Sequence, residues 1–198
     1  RFGNFKIHPV MMSSTFYSIR VRRLIAGWRL IGLIPNIYKQ FSTSDRARMR
    51  ATNPGYAIRN LHSILHVILQ ELMDIQNKGG ILFKELTINN VTKENVLLIT
   101  PVHFVTGDME GSDVLAGKTS KQQLISRACY CPYEDAADTS HQCEWRTKQE
   151  MMDLMESTAT FKEQLEQCET CSQTPVKNVF HLLWFMDDDL SIHGCSPI

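Results

Sequence analysis

The chain has 198 residues, 43% hydrophobic and 21% charged, an ordinary globular composition with room for one domain and a real core, or a domain plus an appendage. Its net charge of zero hides an uneven spread: residues 1–60 carry eleven Lys/Arg against Asp45 alone, and residues 61–198 carry ten bases and twenty acids. A basic stretch of that density suits a polyanion such as nucleic acid, or a solvated face that pairs with the acidic remainder; the longest apolar run near the start, Leu24–Ile34 with Arg29 inside it, is about half the ~20 residues a membrane span needs.

Arg1–Phe5 leads into no apolar core of a signal peptide, and the Arg1 start and Ser196-Pro197-Ile198 end read as cuts in something longer. Phe5–Met12 alternates loosely and predicts a strand, with Pro9 at an edge or bend. Tyr17–Ile34 predicts a helix, with Ile19, Leu24, Trp28, Ile31 and Leu33 inward and Gly32 and Pro35 ending it. Asn36–Gly55, polar and basic, reads as a loop or flexible arm. Ala57–Lys78 is the clearest helix: Ile58, Leu61, Leu65, Ile68, Leu72 and Ile75 recur at helical spacing, and Gly79-Gly80 stops it. His62 and His66 lie one turn apart there, as a metal pair or as ordinary core and surface residues.

Ile81–Asn89 predicts a strand and Thr87–Asn95 a turn-rich connection that holds a glycosylation-type triplet, Asn90-Val91-Thr92. Val96–Thr106 reads as a buried strand, interrupted at Pro101, that carries Asp108 to its C-terminal tip. Asp108–Ala116 then predicts a turn and short helix closed by Gly117. Ser126–Glu144 is irregular, Trp145–Cys171 has helical spacing with a methionine face, and Asn178–Met186 predicts a short apolar helix broken by Asp187-Asp188-Asp189.

All six cysteines fall in the last 70 residues, whereas a disulfide scaffold would spread them over a short secreted chain. Cys129, Cys131, His141 and Cys143 place four metal-compatible ligands within fifteen residues, enough to close a tetrahedral zinc site. Cys168 and Cys171 form a second pair that could replace His141 or Cys143, and buried free thiols are the bland reading of all of them. Asp108 is the candidate catalytic residue. Metal-assisted phosphoryl transfer needs several carboxylates to converge; Glu110, Asp113 and Asp187–Asp189 are the nearby acids, the last group also suiting a turn cap. Neither a P-loop nor a G-x-S-x-G elbow is present.

Several stretches together resemble one group. Ile7–Asn36 is similar to a segment that ends W-x-x-I-G-x-I-P-N; Val96–Gly117 carries P-x-x-F-x-x-G-D-x-x-G-x-D-x-L-x-G; Arg127–Cys131 carries R-x-C-x-C; Lys177–Pro197 carries N-x-F followed by I-H-G-C-x-P. In this order they resemble the Plavaka-like and KDZ-like Asp-Asp-Glu transposases of eukaryotes. The resemblance implies an RNase H-like catalytic core that cuts and joins DNA with two Mg2+ or Mn2+ ions held by two aspartates and a glutamate. Asp108 matches the second aspartate; the first would precede Arg1 and the glutamate would follow Ile198, so the chain alone is expected to be inactive.

The expected architecture is therefore α/β. A partial RNase H-like core, a mixed sheet with flanking helices, would cover residues 1–125, with a basic N-terminal third. A Cys/His-rich, mainly helical insertion would cover 126–175, and a C-terminal helix and turn 176–198. The expected partner is DNA, contacted by Arg20, Arg22, Arg23, Arg46, Arg48 and Arg50, with self-association open, no membrane, and a nuclear location. A non-catalytic zinc module derived from a transposon, binding DNA or protein, is the alternative. A secreted disulfide protein is a third reading, which six free or metal-masked thiols would exclude.

Overall fold

A computed structural model describes residues 7–35, 41–53, 55–106, 109–118, 124, 126–138, 140, 142–156 and 160–193. The architecture is mixed α/β, with two small antiparallel sheets and several helices. The chain divides into two compact units, Arg1–Ile68 and Leu69–Ile198. No helix among the described residues is long and apolar enough to cross a membrane.

In the first unit, strand β1 (Ile7–Ser13) pairs antiparallel with β2 (Trp28–Pro35), and the register shifts between Val10 and Met11. The long helix expected over Tyr17–Ile34 is not there. A four-residue helix, α1 (Ile19–Arg22), is capped by the Ser18 side chain, and a 3-10 turn at Ile25–Gly27 leads straight into β2. Two glycines in eleven residues and β-branched Ile31 and Ile34 weaken a helix there. Close packing then selects the strand. A Cβ on Gly32 would lie 2.5 Å from Ile68 Cδ1, and one on Gly27 would lie 2.3 Å from the Val21 carbonyl oxygen. Ile19, Leu24 and Leu33, expected inward, are exposed, while Trp28 is half-buried and donates its Nε1–H to the Arg22 carbonyl at 2.6 Å.

The expected arm at Asn36–Gly55 also contains regular structure, helix α2 (Thr43–Thr52). Ser42 starts it by accepting the Asp45 N–H at 3.1 Å, and Asp45 in the first turn suits the positive end of the helix dipole. Helix α3 (Tyr56–Asn77) follows the expected periodicity closely. Its most buried line is His62, Leu65, Leu69 and Met73, with Ile58, Leu61, Ile68, Leu72 and Ile75 half-buried beside it. Fully burying each such aliphatic side chain contributes about 1.5–3 kcal/mol. His62 is buried and His66 exposed, so they do not share one environment.

In the second unit, β3 (Ile81–Ile88) and β4 (Val91–Leu98) form a hairpin. Its two-residue turn is Asn89-Asn90, with φ of 51° and 62°. Asparagine tolerates the left-handed conformation that a tight hairpin turn demands. This corrects two expectations. Thr87–Asn95 is mostly strand, and Val96–Thr106 is not one buried strand. Beyond Leu98 the chain is irregular apart from a parallel bridge between Val102 and Phe185, and Leu97, Ile99 and Phe104 are exposed. Gly80, at φ 126°, enters the hairpin where a Cβ would lie 2.4 Å from the Leu98 carbonyl oxygen.

Helix α4 (Met109–Leu115) ends near Gly117, whose φ of 77° suits the expected glycine stop. The helical region after Trp145 is split into α5 (Lys148–Glu156) and α6 (Phe161–Thr170). A capping box starts α6: Thr160 accepts from the Glu163 N–H, and the Glu163 carboxylate accepts from Thr160 N–H at 2.8 Å. The apolar helix expected over Asn178–Met186 is a single 3-10 turn, Val179–Leu182. The core of this unit gathers Leu69, Met73, Ala116, Met151, Cys168, Val179, Phe180, Leu183, Phe185 and Ile192.

Candidate functional site

The polar centre of the second unit starts from α4. Asp113 accepts from Arg127 Nη1 at 2.9 Å, and its other oxygen lies 3.6 Å from Lys118 Nζ. Arg127 is 8% exposed and Lys118 5%, so both cations are largely removed from water, and this carboxylate is one partner they share. Asp113 is thus part of an ion network with Arg127 and Lys118. Asp108 itself lies outside the described residues, as do the Glu110 side chain, His141 and Cys195. In the Asp187–Asp189 run, Asp187 accepts from the Leu190 N–H and Asp188 from Lys148 Nζ at 3.0 Å, so these acids close a turn and tie it to α5.

Asn178 Nδ2 donates to the Leu115 carbonyl at 2.9 Å, and its Oδ1 caps the following 3-10 turn at Phe180 N–H. His193 Nδ1 lies 3.1 Å from the Arg127 carbonyl, which can act only as acceptor, so Nδ1 carries the proton. The neutral ring then accepts at Nε2, and His181 Nε2, 3.4 Å away, donates to it. Both rings are buried. Burial pushes the His193 imidazolium down to about 4, opposed by the hydrogen bond to the Arg127 carbonyl, with a lesser lowering by the Arg146 charge. A histidine depressed when folded stabilises the fold above its unfolded value of about 6.5 and loses that contribution as pH falls toward 4. Stability is therefore expected to drop between pH 6.5 and 4, and His193→Gln to flatten that slope in urea unfolding followed across pH. An equally steep slope in the variant would show that other groups carry the acid sensitivity.

The thiols are organised by a short antiparallel pairing. Cys129 bridges Trp145, Arg146 N–H donates to the Ala128 carbonyl at 2.8 Å, and Tyr130 N–H donates to the Glu144 carbonyl at 2.9 Å. That register sets Cys131 opposite Cys143, with Cys129 two residues away on the same side. Burial, followed by hydrogen bonding to the Cys131 thiol, raises the Cys143 thiol to about 11, and Cys129 adds to the effect. Burial likewise raises Cys168 to about 11, which makes it an inert core thiol. The five described cysteines are all free. Among the described residues no group of three or more His, Cys, Asp or Glu is arranged to hold a metal ion.

Of the expected DNA-contacting residues, Arg20, Arg23 and Arg48 are exposed, and Arg22 and Arg46 are half-buried. Arg50 lies on α2, with its side chain outside the described set. Arg22 Nε donates to the Tyr17 carbonyl at 3.1 Å, and Arg48 pairs with Asp45 at 3.3 Å on the same exposed turn.

Sequence reasoning missed two structural residues. Gln76 clamps the Val102–Phe185 pairing. Its Nε2 donates to the Thr100 and Trp184 carbonyls at 2.8 and 3.0 Å, and its Oε1 accepts from Trp184 N–H at 2.8 Å. Arg146 is fully buried beside the cysteines, with its guanidinium 4.6 Å from the centre of the Tyr130 ring. Neither has a local signal, since each acts on residues distant in sequence or across a pairing. No protein-family model matches the chain, and neither a curated protein nor a solved structure does.

Proposed function

We propose that the chain is a central piece of the RNase H-like catalytic core of a eukaryotic Asp-Asp-Glu DNA transposase. What supports this reading is that the separate stretches carrying the resemblance are joined to one another by their own motif residues. Asp113 of the G-D-x-x-G-x-D stretch pairs with Arg127 of R-x-C-x-C. Leu115 of the first stretch accepts from Asn178 of N-x-F, and the Arg127 carbonyl meets His193 of I-H-G-C. Val102, upstream of Asp108, makes an isolated parallel bridge to Phe185.

In this reading Asp108 holds one of two Mg2+ or Mn2+ ions that would activate water and then a DNA 3′ hydroxyl for attack on a phosphodiester. The chain supplies one carboxylate of three, so it binds DNA without cutting it, and it works in the nucleus. The test is a nicking assay on supercoiled DNA with Mg2+ or Mn2+. The 198-residue chain should bind without nicking. A form extended at both ends to include the other two carboxylates should nick, and Asp108→Ala in that form should abolish nicking while binding persists. Nicking by the extended Asp108→Ala form would remove Asp108 from the chemistry.

A second reading is a non-catalytic zinc module that binds DNA or protein. The register that sets Cys131 opposite Cys143, with Cys129 on the same side, favours it, with His141 or the Cys168/Cys171 pair to complete the ligands. Zinc there would also order the irregular Ser126–Glu144 segment, and it is compatible with the transposase reading.

A further inference from the structure

Two thiols face each other across the short antiparallel pairing, and the type of pairing decides what they can do. Arg146 N–H donates to the Ala128 carbonyl and Tyr130 N–H to the Glu144 carbonyl, on either side of the Cys129–Trp145 bridge. Cys129 and Trp145 are therefore a non-hydrogen-bonded pair, and that type recurs at every second residue, which makes Cys131 and Cys143 the next one. Opposed residues of this type have Cα atoms about 4.5 Å apart, inside the range of about 4.4–6.8 Å that disulfides span. The Cys143 thiol is hydrogen-bonded to the Cys131 thiol, and Cys131 Sγ also reaches the Pro132 carbonyl at 3.6 Å. Both cysteines are free and half-buried, within reach of a small oxidant.

The other thiols are placed less well. Cys129 also touches the Cys143 thiol, but it sits on the diagonal of the pairing, where backbones lie about 7–8 Å apart. Cys129 and Cys131 are two residues apart on one extended segment, about 6.6 Å along it, at the far end of the disulfide range. Cys168 is fully buried in the core.

We propose that Cys131 and Cys143 are an oxidation site, and that their disulfide clamps the eleven residues between them. Oxidised glutathione stands for the oxidant, a small disulfide. One thiol loses its proton and attacks the glutathione S–S bond, releasing one glutathione; the second then attacks the protein sulfur of the mixed disulfide and releases the other. Two protein S–H bonds and one glutathione S–S bond become one protein S–S bond and two glutathione S–H bonds. Neither the transposase nor the zinc reading is needed for this. Joined sulfurs are no longer thiolate ligands, so any zinc held there would be released on oxidation.

The test equilibrates the reduced 198-residue chain with mixtures of oxidised and reduced glutathione, with a chelator present to keep metal off the thiols. Remaining thiols are alkylated, and trypsin with a glutamate-specific protease then separates Cys129 and Cys131 from Cys143 at Glu134. Mass spectrometry should find residues 128–134 joined to 135–144 within one chain, with Cys129 alkylated. Cys129→Ser should keep the link, and Cys131→Ser should lose it at the same glutathione ratio. In urea, oxidation should lower the unfolding equilibrium constant of the wild type roughly a hundredfold, the effect of closing a loop of about this size, and leave that of Cys131→Ser unchanged. Should Cys131→Ser not fold, fragmentation of the linked wild-type peptides still identifies which sulfur holds Cys143. A link that runs through Cys129 instead overturns the assignment of the pair. An oxidised chain no more stable than the reduced one overturns the clamp. Cys131 and Cys143 that stay alkylated at every ratio, or that link only between chains, overturn the proposal as a whole.

Discussion

Asp113→Ala is expected to destabilise the chain by about 3 kcal/mol, the low end of the cost of stranding a buried charge. The low end applies because the Asp113 side chain is 31% exposed and water screens part of the network, whereas the Arg127 and Lys118 side chains are only 9% and 4% exposed. The loss arises from taking one shared carboxylate away from two largely buried cations. Asp113→Asn should cost less, since it keeps an acceptor for Arg127. Arg127→Met combined with Asp113→Leu should cost less than the sum of the two single changes, because the pair is removed together. Urea unfolding of these five variants, the two single changes and their combination included, measures all of this. A change under about 0.5 kcal/mol in Asp113→Ala, the range of ordinary surface substitutions, would show that the network is screened and contributes little.

Binding to duplex DNA is expected to weaken about a thousandfold between 50 and 200 mM salt. The reasoning is counterion release: six phosphate contacts, from Arg20, Arg22, Arg23, Arg46, Arg48 and Arg50, give a slope of about −5 in log affinity against log salt. The exposed pairing of Arg48 with Asp45 is of the kind that contributes about 0–1 kcal/mol, so it yields readily to a phosphate. Replacing Arg20, Arg23 and Arg48 with alanine should weaken binding similarly on unrelated DNA sequences and make the slope shallower by about three. Fluorescence anisotropy across a salt series reads both quantities. An affinity indifferent to salt would remove the polyanion role from the basic region and leave its arginines as a solvated face.

The two expectations concern different levels of the molecule. The first tests what the motif residues do in the folded chain. Asp113, Arg127, Asn178 and His193 are parts of the family resemblance; in the structure Arg127 joins Asp113 to His193, and Asn178 holds Leu115 of the Asp113 stretch. Their spacing in the sequence is therefore explained by packing before any chemistry is invoked. The second expectation needs no folded partner at all, because it follows from the density of arginine in residues 1–60.

The sequence by itself determined the features whose causes are local. The stripe from Ile58 to Ile75 specified α3, Gly117 marked the end of α4, and the C-x-C spacing put Cys129 and Cys131 on one side of an extended segment. Ser42 before α2, Asn89-Asn90 in the hairpin and Thr160-x-x-Glu163 before α6 were equally legible signals, though composition drew attention away from the first two. Tertiary structure decided the rest. The apolar run Leu24–Ile34 suits a helix or a strand by content, and only pairing with β1 and the seat of Gly32 against Ile68 select the strand. The run after Asn95 looked buried because it is apolar, but a two-stranded hairpin can cover one face at most, so Leu97 and Ile99 remain exposed. Which acid pairs with which base, and which thiol faces which, depends on neighbours 14 to 66 residues apart, among them Asp113 with Arg127 and Arg127 with His193. Short-range periodicity carries no information about such partners, because their contact exists only once the chain has closed the loops between them.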